Sequence, residues 1–106
     1  RVINRLHETV SGARVEGEVY IDGKNIYDRD VNPVKVRGRV GMIFQSPIIF
    51  SHLSIYDNVA IGLILNGYKD KNFISNRVIN SLKEAGLWNE VKDRLKDRAT
   101  DLSGGQ

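Results

Sequence analysis

Leu102-Ser103-Gly104-Gly105-Gln106 is the stretch on which the reading of this chain turns. A serine followed by two glycines leaves consecutive backbone N–H groups that no Cβ covers, and glycine turns the chain without steric cost. Where such a run opens a helix, the free donors and the positive end of the helix dipole face the same point, which suits an anion. These residue types point to phosphate capture, with Ser103, Gly104, Gly105 and Gln106 as the candidate binding residues. The pentapeptide alone also has a plainer reading as a flexible Ser-Gly-Gly tail, because short motifs recur by accident.

Upstream, Arg39-Val40-Gly41-Met42-Ile43-Phe44-Gln45 is a short, apolar, β-rich run that ends in a polar amide and breaks at Pro47. Leu53-Ser54-Ile55-Tyr56-Asp57-Asn58-Val59 follows it. In this order the three elements resemble the ATP-binding-cassette (ABC) ATPases. The first is similar to the strand leading into that family's Q-loop, the second to the "LT-x-x-x-NV" start of its helical subdomain, and the last to its signature motif. Within the family, Gly12 to Val19, Asp28 to Val31, Ser54 to Ala60 and Leu87 to Asp93 resemble the ATP-binding subunits of phosphate-specific importers, and the likeness runs over essentially the whole chain. Two departures stand out. Pro47-Ile48-Ile49-Phe50-Ser51 replaces the Pro-Asn-Pro-Phe-Pro common in those Q-loops, and Gly38 stands where a basic residue is common.

The resemblance implies an α/β fold of the P-loop NTPase, ABC-type class: an antiparallel β hairpin region plus a Q-loop strand, followed by a three-helix subdomain. Residues 1–52 fall in the nucleotide-binding core and residues 53–106 in the α-helical subdomain that ends in the signature. It implies ATP and Mg²⁺ as ligands of the intact protein, with Gln45 as a catalytic residue that touches Mg²⁺ or its water. Ser103, Gly104 and Gly105 would meet the γ-phosphate of ATP held by a second ATPase subunit in a head-to-tail dimer, with Gln106 beside the nucleotide. Two permease subunits would be contacted through Pro47, Ile48, Ile49 and Phe50, placing the protein at the cytoplasmic face of the cell membrane. The phosphate-binding loop G-x-x-x-x-G-K-[ST], the strand ending in Asp-Glu and the switch histidine of the family are not in these residues, so the expectation is a fragment that is inactive by itself.

The residues support parts of this directly and leave others open. The Gln45 amide carries both a donor and an acceptor, as a sensor of phosphate and metal needs; an isolated glutamine in that place would simply cap a strand end. Pro47 to Phe50 read either as a docking surface for a partner helix or as packing beneath the helices. Leu102, Tyr56 and Trp88 read as packing residues, and His7 as a surface residue near a helix end. Two rival readings stand beside the first: an ABC ATPase serving a different substrate, and a non-enzymatic helical interaction module.

Composition sets the bounds. The chain has 106 residues, 41% hydrophobic and 27% charged, and so amounts to one domain at most. Sixteen Lys and Arg against thirteen Asp and Glu give a net charge of +3. Because the bases alternate with acids, as in Lys92-Asp93-Arg94 and Lys96-Asp97-Arg98, the pattern is a solvated helix face and no nucleic-acid partner is expected. There is no cysteine, which excludes disulfides and thiolate metal sites. Val59 to Leu65, the longest strongly apolar stretch, is under half of what a membrane helix needs.

Local patterns place the elements. Residues 1–8 read as the last two turns of a helix. Val15 to Ile26 alternates around Asp22-Gly23, a two-residue hairpin signal, since both residues tolerate positive φ. Asn32-Pro33 starts a turn or short helical stretch through Val36. Ser54 with Asp57 makes a capping box ahead of Ile55, Val59 and Leu63, in a helix that ends near Asn66-Gly67. A second helix from Lys71 to Ala85 puts Ile74, Val78, Leu82 and Ala85 on one face and stops at Gly86. A third, from Trp88 to about Arg98, buries Val91 and Leu95.

Overall fold

The computed structural model describes all 106 residues, which divide into two compact units, Arg1–Ile43 and Phe44–Gln106.

The first unit is built around a hairpin and a short helix. β1 (Tyr20–Ile21) and β2 (Lys24–Asn25) pair antiparallel, Tyr20 opposite Asn25 and Ile21 opposite Lys24. Asp22 and Gly23 sit at φ 50° and 75°, the two positive values of a type I′ turn, so the Asp-Gly signal holds. A further bond from Ile26 N–H to the Val19 carbonyl (2.9 Å) carries the pairing outward, and Ile26 is buried beyond it. α1 (Pro33–Arg39) begins at Asn32, whose side chain accepts from Val34 N–H, and runs one turn further than the sequence suggests. The N-terminal residues form a 3₁₀ turn, Leu6–Thr9, after Arg5 at φ 58°, in place of the expected α-helix.

Arg5 explains that difference. Its left-handed backbone breaks an α-helical path, and its guanidinium reaches inward to the carbonyls of Ile26 (2.9 Å) and Val31 (3.4 Å) while pairing with Glu8 (2.7 Å) and lying over the Tyr27 ring. Arg37 in α1 donates to the Arg5 carbonyl (2.8 Å). A planar, multi-donor cation satisfies several acceptors at once, so this small unit is organised by one polar hub as much as by Ile26 and Val36.

In the second unit α2 (Ile55–Leu65), α3 (Lys71–Glu84) and the short α4 (Trp88–Val91) pack around Ile55, Ala60, Ile74, Val78, Leu82, Val91 and Ala99. Val78 and Val91 are its largest fully buried side chains. Ser54 caps α2 by accepting from Asp57 N–H (3.0 Å) and donates in turn to the Asp57 carboxylate (2.8 Å). Asp70 caps α3 through Asn72 and Phe73 N–H, a cap that the sequence reading passed over. Both long helices end in the same way. Gly67 and Gly86, at φ 88° and 73°, each donate to the carbonyl three residues back, while Tyr68 and Leu87 donate to Leu63 and Leu82. That is the paired bonding of a Schellman stop. Ile74, Val78 and Leu82 are buried as expected, whereas Ala85 is exposed because the chain has left the helix there.

Two expected elements differ. The strand from Val40 to Phe44 does not form, since no neighbouring strand is present to pair with it, and Ile43 is fully exposed. The third helix stops at Val91 in place of Arg98. Beyond it the Leu95 and Asp97 carbonyls accept from Tyr56 and Ile55 N–H (2.9 Å each), two donors that the first turn of α2 leaves without helical partners. An isolated antiparallel bridge between Ser54 and Arg98 completes this seam. Val91 is buried and Leu95 half-buried, so the expected side chains still face the core.

Candidate functional site

Leu102 to Gln106 follow a 3₁₀ turn, Ala99–Asp101, in which Ala99 is buried. Leu102 packs against the helical core as a half-buried anchor, and Ser103 to Gln106 stand exposed beyond it. This burial step fixes where the turn emerges from the unit. Gln106 N–H donates to the Ser103 carbonyl (3.0 Å), and the Gln106 side-chain oxygen accepts from Ser103 N–H (2.8 Å). Ser-x-x-Gln with the glutamine reaching back to the serine N–H is one half of a capping box, the geometry of a helix first turn. The Gly104 and Gly105 N–H groups have no acceptor in the protein. The turn therefore presents two bare backbone donors and the Ser103 hydroxyl to solvent, a donor set suited to a phosphate.

Gln106 has a second partner, since its Nε2 donates to the Glu90 carboxylate on α4. Sequence spacing gave no hint of this link, because sixteen residues separate the two and neither belongs to a shared periodic face.

Gln45 lies in a bend between Phe44 and Ser46, exposed and without a hydrogen bond to the protein. Its amide is free to serve an external ligand. No three His, Asp or Glu side chains gather anywhere in the chain, so a cation would find no ready-made carboxylate cage here. Pro47 to Phe50 are exposed too, with Ile48 71% and Phe50 50% accessible. Their far end is held firmly. Asn58 on α2 accepts from Phe50 N–H (2.8 Å) and donates to the carbonyls of Phe50, Leu53 and Ser54 (3.1, 3.3 and 2.9 Å). One amide thus fastens the apolar loop to the first turns of α2, a role that sequence spacing does not reveal.

Tyr56 behaves as a packing residue, lying against the core with its hydroxyl 2.9 Å from Ser75 on α3. Trp88 also packs on the core, with the Lys83 ammonium over its ring. His7 is half-buried beside Tyr27, and its buried Nδ1 has no hydrogen-bond partner in the protein. No helix is long and apolar enough to cross a membrane.

Known proteins sharpen this picture. The family model described as ABC transporter matches residues 2–106. Over the full length, the chain is 58% identical to the phosphate import ATP-binding protein PstB of Thermococcus kodakarensis and 57% identical to that of Pyrococcus furiosus. It is 52% identical to the protein of the same name from Rubrobacter xylanophilus. All of this chain is aligned in each case, and it spans 42%, 42% and 37% of those relatives. With the family model matching nearly every residue, the chain belongs to the ABC transporter family.

Proposed function

We propose that these residues are the part of an ATP-hydrolysing importer subunit that presents the signature turn to nucleotide, and that the whole protein energises uptake of inorganic phosphate. The observation that carries this is the exposed turn Ser103–Gln106, with the Gly104 and Gly105 donors bare, in a chain more than half identical to proteins named for phosphate import. In this reading the γ-phosphate of ATP is taken by the Ser103 hydroxyl and the two glycine N–H groups, with Gln106 alongside. Fixed donors in place before charge develops cost no reorganisation when it does. Gln45 offers its unpartnered amide to the phosphate and Mg²⁺ of the ATP held by its own subunit; when bound, the ion would neutralise charge on the phosphate oxygens.

Ser103–Gln106 supplies one side of such a site, so the active form is a head-to-tail dimer with a second ATPase subunit. The exposed Pro47–Phe50 loop fits an apolar partner surface, and we assign it to the contact with two permease subunits at the cytoplasmic face of the membrane. Residues 1–52 then serve as part of the nucleotide-binding core, including the segment that takes up its Q-loop strand conformation beside neighbouring strands, and residues 53–106 as the helical subdomain. The test is Ser103→Arg in the full-length subunit assembled with its permease. Phosphate-stimulated ATPase should fall at least a hundredfold with folding unchanged, because the larger cation fills the donor face; an ATPase at wild-type level would end this assignment.

A further inference from the structure

The Glu90–Gln106 link joins a helix of the packed core to the residue that closes the signature turn. A carboxamide has two faces of opposite polarity, and in solution it turns freely between them. Here Nε2 donates to the Glu90 carboxylate, which has no donor to offer in return, so the oxygen is left facing Ser103 N–H. Glu90 sits one residue before Val91, which is fully buried, and its backbone N–H donates to the Leu87 carbonyl (3.0 Å). Its position is therefore set by the core. At the other end, Leu102 anchors the chain just before the turn.

We infer that Glu90 is a positioning residue for the signature turn: it orients the Gln106 amide, which holds Ser103 N–H and leaves the Gly104 and Gly105 donors facing outward. Without the carboxylate the amide rotates, the half capping box opens, and the two glycines, which have no side chains to restrict them, lose the shared direction that an anion needs. The inference rests on the phosphate-binding reading of the turn for its functional consequence, and on hydrogen bonding alone for its structural one.

Two variants separate the hydrogen bond from mere charge near a helix start. Glu90→Gln keeps an acceptor for Gln106 Nε2 and removes the charge; Glu90→Ala removes both. Amide hydrogen exchange at Ser103, read by NMR in the full-length subunit, should accelerate about fivefold in Glu90→Ala, the loss expected for one net hydrogen bond, and stay within about twofold of the starting rate in Glu90→Gln. In the full-length subunit the ATPase kcat/KM should fall by a similar factor in the alanine variant and recover in the glutamine variant. Unchanged exchange in Glu90→Ala overturns the inference, as does a glutamine variant that behaves like alanine. Faster exchange with unaltered ATPase overturns its functional half, provided that Ser103→Arg still abolishes ATPase. If Ser103→Arg does not, it is the phosphate reading that fails, while the exchange result stands.

Discussion

Asn58 shows how much one side chain can organise. Its amide makes four bonds that close the chain from Phe50 to Ser54 onto α2. Removing it leaves a backbone donor and several acceptors to find water. Asn58→Ala should destabilise the helical unit by about 1–3 kcal/mol, measured by denaturant unfolding, and should raise amide exchange at Phe50 and Leu53. Glu8 gives a pH-dependent counterpart. The side-chain hydrogen bond from Arg5 is the main cause that holds its carboxyl below the ordinary glutamate range, with the charges of Arg5, His7 and Arg37 adding to it against some desolvation. A depressed carboxylate stabilises the folded state above its unfolded pKa of about 4.3 and loses that contribution as pH falls through the lower folded value. Acid titration of the first unit should therefore show a loss of stability below about pH 4 that Glu8→Gln removes; an unchanged acid transition in that variant would refute this.

At the scale of elements, glycines of different backbone geometry should respond oppositely to the same change. Gly86 closes α3 at φ 73°, where any Cβ is strained, so Gly86→Ala should cost about 1–2 kcal/mol. Gly38 lies inside α1 with open space around a new Cβ, so Gly38→Ala should add about 0.5–1 kcal/mol. Thermal unfolding of the two variants checks both signs. Such local features were the legible ones: Asp22-Gly23, Asn32-Pro33, Ser54 and Gly67 each act within a few residues, and each appears where the pattern places it. What the pattern missed depends on distant partners. Trp88 to Arg98 has helical periodicity, but the open donors of α2 draw the Leu95 and Asp97 carbonyls away from a helix. Val40 to Phe44 has strand character, yet a strand exists only through its neighbours. Of the candidate site, the donors at Ser103 to Gln106 were readable, whereas Glu90 and the fastening role of Asn58 were not, since both arise from tertiary contact.

For the molecule as a whole, the apolar side chains left in the open set its behaviour in solution. Phe44, Ile48, Ile49 and Phe50 are between 40% and 71% accessible within a few residues of one another. Exposed apolar groups clustered in this way favour association. Sedimentation equilibrium should detect concentration-dependent self-association of the 106-residue chain, reduced by Ile48→Lys; a strictly monomeric wild-type chain at high concentration would contradict this. The basic and acidic groups are interspersed, so salt should change that association only modestly.

The seam between Ser54 and Arg98 carries one more implication. It brings the point where the chain enters the helical excursion next to the point where it leaves. A segment whose two ends meet can be lengthened or trimmed in its distal part with little displacement of what flanks it, and the entropic cost of a longer excursion grows only with the logarithm of its length. Residues 55–97 thus form a cassette in the engineering sense: the far ends of α2 and α3 can drift in length and surface, while Asn58, Glu90 and the bonded pair Leu53 and Ala99 keep the Ser103–Gln106 turn where it is.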